Sequence, residues 1–363
     1  MRRKALFVIG LGLGAAACGN DVAPAVESTA PTTSASAEVE PAAPVIPEDF
    51  TGLPDRSIAI VELEDVHFDT FNGGSIPLSE ATDEQIVSLL DRIPPIDNPP
   101  YINPAEDEWL GDQDPVLGYV TADGQPIAYP HKILNFHEIV NDDLAGVPVL
   151  VSYCPLCNSG VVYDRRLDDL RQDGELTFSN TSALFDNDLV MIDRQTSTYW
   201  WQVPGRGIVG TLAGAELTVL ASVTTTWAQW QEDYPDTLIL SRDLGFTIDY
   251  TRDPFVGYAE RVNDGFTPFP VDPVALADSR LPAATQVVAI EAGGEAVAVP
   301  VEALTGDFEL EVGGDSFVVA PDGAGGASVF ALDPDGARAP APSRSTFWFA
   351  YVASFPDARV ASP

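Results

Sequence analysis

The sequence predicts a mainly β protein with a few short helices, a β-rich α+β class built from two tandem copies of one unit, the second copy shortened. Three observations predict it. Short runs rich in Val, Ile, Tyr and Trp, such as "VPVLVSY" and "LVMIDRQT", are separated by Gly, Pro, Asn and Asp, which is typical of strands and turns. Helix-start signals stand out in two segments, and one pattern of strands followed by an aromatic helix occurs twice.

The two helices are expected where a Thr is followed three residues later by a Gln. Thr82 and Gln85 begin the run "DEQIVSLLDRI", and Thr226 and Gln229 begin "WAQWQEDY". In such a capping box the Thr hydroxyl accepts a backbone N–H of the first turn, and the Gln side chain accepts the N–H of the Thr. A proline after each run ends the helix.

A pattern in the middle of the chain recurs near its end. "VLGYVTADGQPIAYPHKIL" aligns with "VVAIEAGGEAVAVPVEAL", and "TTTWAQWQEDYPD" aligns with "STFWFAYVASFPD", which places Trp227 opposite Trp348 and His131 opposite Val301. Where the first copy has "CPLCNS", the second has "PDGAGG". A duplicated scaffold shares what folding requires, so residues found in one copy only are the better candidates for function.

These signals divide the chain into six segments, of which the second contains no aromatic residue and cannot bury enough apolar surface to fold. The segments are a lipoprotein-type signal peptide (1–18), a disordered tether rich in Pro, Ala, Ser, Thr and Glu (19–48), an N-terminal extension with one helix (49–111), the first β-rich repeat with the Cys/His site (112–245), a connector (246–282) and a second, degenerate repeat (283–363).

The first eighteen residues are expected to export the protein. A basic start, Met1 to Lys4, precedes an apolar run that ends at Ala17 and is followed by Cys18. This order resembles a bacterial lipoprotein signal, in which Cys18 becomes the lipidated first residue. An ordinary secretory signal is the alternative, because Ala-x-Ala also precedes Cys18. We expect a body anchored to the cell membrane by lipid and facing the periplasm or exterior.

The chain is strongly acidic, with a formal net charge of −37 and lysines only at Lys4 and Lys132. Nucleic acids and anionic lipid headgroups are recognised through clustered basic side chains. Nucleic-acid binding is therefore not expected, and the acidic surface is interpreted as an adaptation for solubility.

The candidate functional site is the turn "SYCPLCNSG". Cys154 ends a predicted buried strand, and only three residues separate Cys157 from the next strand, "VVYD". A thioredoxin-like motif needs a helix directly after its first cysteine, and this turn leaves no room for one. Pro155 fixes one φ angle and Asn158 tolerates a left-handed conformation, so both sulfurs can point the same way, as in a metal-binding knuckle.

Two thiolates form half of a tetrahedral site, and the remaining ligands are expected from His, Met, Asp or Glu side chains. His137 is the best-placed histidine because its segment closely precedes the strand of Cys154, and the flanking Asn135 and Glu138 could orient its ring. A core histidine satisfied by hydrogen bonds is the alternative. The other two histidines are interpreted as incidental: His67, in the N-terminal extension, and His131, at a tolerant surface position.

Three further charged residues of the first copy are secondary candidates. Asp193 and Arg194 are expected to pair inside the fold. A clamp for a substrate carboxylate is the functional alternative, and Arg165 in "VVYDRR" carries the same two interpretations.

The segments "AYPHKILNFHEIVND", "VSYCPLCNSGVVYDR", "FDNDLVMIDRQTSTYWWQ", "GTLAGAEL" and "TTWAQWQEDYPDTLIL" resemble, in order and spacing, a family of bacterial exported proteins catalogued as domain of unknown function 3179. The resemblance runs from about Pro94 to the C-terminus. It implies a fold and a location rather than a reaction. Members are similar at Cys154, and some have Thr where this chain has Cys157, which implies that Cys154 is the essential sulfur.

Three functions remain open at this point. The first is a soft-metal site in which Cys154, Cys157 and His137 bind Cu or Zn. The second is a thiol-based enzyme or redox protein that uses Cys154 as its reactive sulfur and His137 as the base that lowers the thiol pKa. The third is a non-catalytic surface or scaffold protein with a structural disulfide between Cys154 and Cys157. The sequence indicates neither whether the protein is an enzyme nor which protein it binds.

Overall fold

The computed structural model describes residues 46–167 and 174–363. The expected signal peptide, Cys18 and residues 19–45 of the expected tether lie outside the described residues. Within the described residues the chain is mainly β, as predicted.

The strands are short, mostly two to eight residues, and most are joined by tight turns. In chain order they are β1 (Val66–Asp69), β2 (Ser75–Pro77), β3 (Ile96–Asp97), β4 (Tyr101–Ile102), β5 (Pro115–Val120), β6 (Pro126–Pro130), β7 (Ile139–Leu144), β8 (Val147–Cys154), β9 (Ser159–Asp164), β10 (Phe178–Phe185), β11 (Asp188–Asp193), β12 (Tyr199–Trp201), β13 (Arg206–Val209), β14 (Thr218–Leu220), β15 (Ser222–Thr226), β16 (Leu238–Leu240), β17 (Gln286–Ala292), β18 (Glu295–Pro300), β19 (Phe308–Val312), β20 (Asp315–Pro321), β21 (Ala327–Leu332), β22 (Arg338–Pro340), β23 (Arg344–Phe347) and β24 (Arg359–Val360).

The helices have four to seven residues each. They are α1 (Asp83–Leu89), α2 (His131–His137), α3 (Trp227–Asp233), α4 (Tyr258–Asn263), α5 (Pro273–Leu276) and α6 (Trp348–Ser354), with 3-10 turns at Pro104–Glu106 and Val301–Ala303. Both predicted helices are present: Thr82 and Gln85 form the reciprocal capping box of α1, and Thr226 caps α3. None of the helices in the described part of the chain is long and apolar enough to cross a membrane.

The strands form four sheets. Their orders are β13-β12-β11-β10-β1-β2, β24-β18-β17-β23-β9-β8-β7-β3 with β14 also paired to β9, β15-β5-β6-β16-β4, and β19-β20-β21-β22. The largest sheet joins the two expected repeats, because β23 pairs with β9 at Ser345 and Gly160.

One strand arrangement occurs in both expected repeats. In the first, β15, β5, β6 and β16 lie side by side with a parallel pairing only between β6 and β16. In the second, β23, β17, β18 and β24 lie side by side with a parallel pairing only between β18 and β24. The duplication stays a prediction, which superposition of residues 112–240 on residues 283–360 tests.

The core that positions the candidate site lies between the largest sheet and the sheet of β10 to β13. Strands β8 and β11 are buried along nearly their whole length. Cys154 and Cys157 belong to this core, together with Met191 and Trp200 from the opposite sheet. The Cys turn is therefore enclosed between two sheets rather than exposed at their edge.

Candidate functional site

The Cys turn has the geometry that its sequence predicts. Strand β8 ends at Cys154, which pairs with Ser159 at the start of β9. The N–H of Cys157 donates to the carbonyl oxygen of Cys154 at 3.2 Å, which closes the turn. Asn158 has a φ of 44°, the left-handed conformation expected of it.

Both sulfurs face a carboxylate from the opposite sheet. The Sγ atoms of Cys154 and Cys157 and a carboxylate oxygen of Asp188 all lie within 4.8 Å of one another. The three residues are at most 1% exposed, and both cysteines are free thiols. This group of three donor atoms is the candidate site, and Asp188 is the residue that sequence analysis missed.

Asp188 is held by backbone groups at the start of β11. The N–H of Val203 donates to Oδ2 at 2.8 Å, and the N–H of Leu189 donates to Oδ1 at 2.9 Å. The two residues before it, Asp186 and Asn187, both have positive φ and form the tight β10–β11 turn. The sequence signal that could have found Asp188 is this Asp-Asn turn followed at once by an acid, within a segment unique to the first repeat.

Burial disfavours negative charge at all three donors. It raises the pKa of the Cys154 thiol, and burial together with the neighbouring Cys154 raises the pKa of Cys157 well above its ordinary value. Burial also raises the pKa of Asp188 to about 7, although the hydrogen bonds that its carboxylate accepts, the largest from the N–H of Val203, oppose that shift. Without a cation both thiols are therefore protonated at neutral pH, whereas Asp188 titrates near pH 7.

Besides Asp188, a second buried carboxylic acid lies near the three donors. Glu138 ends α2 with a φ of 60°, and its Oε2 accepts the side-chain amide of Asn180 at 2.7 Å. Burial raises the pKa of Glu138 to about 8, and the charge of Asp188 contributes to the same shift. Left-handed backbone is costly for a non-glycine residue and concentrates at functional sites. Glu138, Asn158 and Asn187, which surround the site, all adopt it.

His137 is not part of the donor group and is bound elsewhere. Its Nδ1 lies 2.7 Å from the carbonyl oxygen of Pro94, so Nδ1 donates, and its Nε2 lies 2.7 Å from the hydroxyl of Tyr250. Burial lowers the pKa of His137 to about 4, so the ring is neutral and Nε2 accepts from Tyr250. Asp188, rather than His137, supplies the third donor atom, because both ring nitrogens of His137 are already in hydrogen bonds.

The secondary charged candidates have structural partners. Arg194 pairs with Asp97 at 3.0 Å, so the expected pair of Asp193 with Arg194 is wrong. The carboxylate of Asp193 instead accepts the indole N–H of Trp200 at 2.9 Å and the N–H groups of its own turn. Arg165 is buried and donates to three backbone carbonyls, those of Val149, Leu176 and Asp142.

The other two histidines differ in their surroundings. His67 lies on β1 with Nδ1 3.4 Å from the hydroxyl of Ser75. His131 is only 3% exposed, so the expected surface position is wrong. Its ring centroid lies 4.3 Å from that of Tyr153, and its buried Nε2 has no hydrogen-bond partner among the described residues. Asn135, one turn further along α2, is half-buried.

The family resemblance is confirmed by comparison with known proteins. The model of the family described as protein of unknown function, DUF3179, matches residues 90–358, which include the Cys turn, Asp188 and most of both expected repeats. The chain belongs to this family. No curated protein and no solved structure gives a significant match to it. Membership in DUF3179 therefore does not indicate which reaction, if any, the protein catalyses. The function has to be inferred from the residues and geometry of the site.

Proposed function

We propose that Cys154, Cys157 and Asp188 bind one thiophilic metal ion. The observation that carries the proposal is the approach of two free thiols and one carboxylate oxygen to within 4.8 Å in a buried site. Two sulfurs bound to one tetrahedral zinc ion at bond lengths of about 2.3 Å lie about 3.8 Å apart. The donor atoms thus need only small shifts to close around an ion.

The donor set favours Zn(II) over Cu(I). Cu(I) prefers thiolate and thioether sulfur alone, whereas Zn(II) accepts thiolate sulfur and carboxylate oxygen together. The carboxylate of Asp188 is oriented by two backbone N–H groups, from Val203 and Leu189, in the way that outer partners fix metal-ligating side chains. Three protein ligands leave a fourth position for water or another molecule.

Charge compensation supports the same assignment. The two thiols of this group, in a dry core, lose their protons near neutral pH only if positive charge replaces them. A divalent cation supplies that charge, so its binding is coupled to proton release and its affinity falls as the pH falls.

A thiol-based redox function is the second candidate. The observation that favours it is that Cys154 and Cys157 are free thiols whose sulfur atoms lie within 4.8 Å of each other. The burial that raises both thiol pKa values opposes it, because the thiolate is the reactive form. A structural disulfide would need neither Asp188 nor its two backbone donors, which leaves that alternative with less support.

The test is metal content after reconstitution. The reduced full chain, exposed to Zn(II) and then dialysed, is expected to retain about one ion per chain, as known three-ligand zinc sites do. The Cys154→Ser, Cys157→Ser double variant is expected to lose it, and Asp188→Asn is expected to bind at least about tenfold more weakly.

The matched control is Asp186→Asn, which changes an acid of the same turn that is not a donor of the group. It is expected to retain the ion. Equal zinc in the double variant and the unaltered chain would refute the proposal. A reduced chain that retains no zinc but cycles reversibly between dithiol and disulfide would favour the redox candidate.

We also propose that the body is exported and lipid-anchored through Cys18 to the cell membrane, facing the periplasm or exterior. The support is the order of basic residues, apolar run and Cys18 in the sequence. Cys18→Ala should abolish incorporation of labelled fatty acid in cells. Unchanged labelling would contradict the anchor.

A further inference from the structure

A cavity of about 220 Å³ lies directly beside the Cys turn. Two residues of the turn, Pro155 and Asn158, form part of its wall. An engineered cavity of roughly 150 Å³ holds benzene, so this one has room for a single ring with a short polar substituent. The remaining wall comes from α2, β8, the connector and one residue each of β5 and β23, and it includes His131, Asn135, Tyr153, Asp253, Phe255 and Tyr258.

His131 gives this cavity an unsatisfied polar group. The side chain is 3% exposed, lines the cavity, and has a buried Nε2 without a partner among the described residues. Burial lowers the pKa of His131 to about 3, so the ring is neutral at physiological pH and offers one acceptor nitrogen. Native proteins rarely leave a buried polar group without a hydrogen bond, because the cost of removing it from water is then not offset.

The charge of the lining is negative. Among the described residues that form the wall, Asp253 carries the only formal charge, since His131 is neutral. The Oδ1 of Asp253 accepts the N–H of Phe255 at 2.8 Å, which leaves Oδ2 for another donor. The aromatic rings of Tyr153, Phe255 and Tyr258 supply an apolar wall. The Tyr258 ring already holds a cation, because the guanidinium of Arg261 lies 5.6 Å from its centroid. The net charge of −37 raises the local concentration of cations further.

We propose that this cavity binds a small organic ammonium ion that carries one apolar ring or a chain of similar size. The ammonium group pairs with Asp253 and donates to His131, and the apolar part packs against the aromatic wall. A carboxylate ligand of the same size is rejected, because it would face the negative charge of Asp253 without a cation to pair with. The site does not require the metal, so it is independent of the function proposed for Cys154, Cys157 and Asp188.

The experiment uses three probes of one size on the full chain: benzylamine, which is charged at neutral pH, benzyl alcohol and benzoate. Calorimetric titration is expected to give saturable binding of benzylamine, at least about fivefold tighter than benzyl alcohol, and no binding of benzoate. A fivefold difference corresponds to the upper value of about 1 kcal/mol for an exposed ion pair.

Variants distinguish binding of the amine in the cavity from its general attraction to the acidic surface. Asp253→Asn is expected to weaken benzylamine binding about fivefold, and His131→Val, which places at this position the residue of the aligned Val301, is expected to weaken it about tenfold. Glu260→Gln removes an exposed charge from α4 outside the lining and should change nothing.

Three results would overturn the proposal. The first is the absence of saturable benzylamine binding to the full chain. The second is equal affinity for benzylamine and benzoate. The third is an equal loss of affinity in Asp253→Asn and Glu260→Gln, which would mean that surface charge alone attracts the amine. Because Asp253 is exposed, its variant is expected to fold even if His131→Val does not.

Discussion

Cys157 donates its thiol proton to the backbone carbonyl oxygen of Asn187 across a distance of 3.3 Å. Asn187 in turn donates its side-chain amide to the hydroxyl of Tyr258 at 3.1 Å and accepts the N–H of Phe269 at 3.2 Å. The turn that carries Asp188 is therefore tied to the Cys turn on one side and to the connector on the other. These contacts explain how two turns that lie 30 residues apart in sequence are held together.

The left-handed conformation of Asn158 should contribute to the stability of the Cys turn. Asn158 has a φ of 44°, and its side chain bonds Tyr153 and Gln286. Asn158→Gly and Asn158→Ala both lose these bonds, but only Ala retains the steric cost of positive φ. Asn158→Ala should therefore be less stable than Asn158→Gly by about 1 kcal/mol in urea unfolding. Equal stabilities would contradict the conformation assigned to this turn.

Glu138 should make the reduced, metal-free protein less stable as the pH rises. Its pKa is about 8 in the folded chain and near 4.5 when exposed, so between these values the folded state holds a proton that the unfolded state has lost. Stability contributed by this group is full below about pH 4 and lost as the pH rises towards 8. Glu138→Gln stays neutral and should exceed the unaltered protein in free energy of unfolding by about 1–3 kcal/mol at pH 8.

The check is a pair of urea unfolding curves at pH 5 and pH 8. At pH 5 the two proteins should differ much less, because pH 5 lies close to the value of 4.5 for the exposed carboxyl, so ionisation has so far lowered the free energy of the unfolded state only slightly. Asp188 titrates in both proteins and is coupled to Glu138 through its charge, so the comparison reports the titration of Glu138 together with this coupling. A difference between the two proteins that does not change with pH would show that Glu138 is not a buried, protonated acid.

Gly118 should tolerate no side chain. A Cβ atom placed there would lie 2.2 Å from the ring of Trp230, the buried Trp of α3. Gly118→Ala is expected to destabilise the protein by about 3 kcal/mol, the upper range for overpacking, measured as a shift of the urea midpoint. Gly306→Ala, where no atom lies within 4 Å of the added Cβ, is the matched control and should be nearly neutral.

Cys154 should react slowly as a nucleophile, and its alkylation rate should not depend on His137. The side chain is 1% exposed, and burial raises its thiol pKa, contrary to the lowered pKa that pairing with His137 would give. In a Cys157→Ser background, alkylation by iodoacetamide should be slow at pH 7 and change less than about twofold in His137→Gln. A thiol pKa below about 8.5 that rises in His137→Gln would restore the catalytic pair.

Local sequence signals predicted the elements that local chemistry determines. The Cys-Pro-x-Cys turn with Asn158, the capping box of α1 and the cap of α3 all have partners within a few residues. Helix α2 was not predicted, because its first residues have no capping side chain.

The parts that the sequence did not predict depend on contacts between distant segments. Asp188 reaches the cysteines only because the sheet of β10 to β13 packs on the sheet of β8 and β9. His137 finds its partners in Pro94 and Tyr250, which lie 43 and 113 residues away. The position of a residue in the sequence does not determine which distant residues it packs against or hydrogen-bonds. Sequence analysis could therefore give the third donor only as a residue type, namely His, Met, Asp or Glu.

The most direct test of the metal site is the coordination shell of the bound ion. X-ray absorption at the zinc edge of the reduced, zinc-loaded full chain should show two sulfur neighbours at about 2.3 Å and oxygen neighbours at about 2.0–2.2 Å. Asp188→Asn should keep both sulfurs and alter the oxygen shell. A shell of oxygen and nitrogen without sulfur would contradict binding at Cys154 and Cys157.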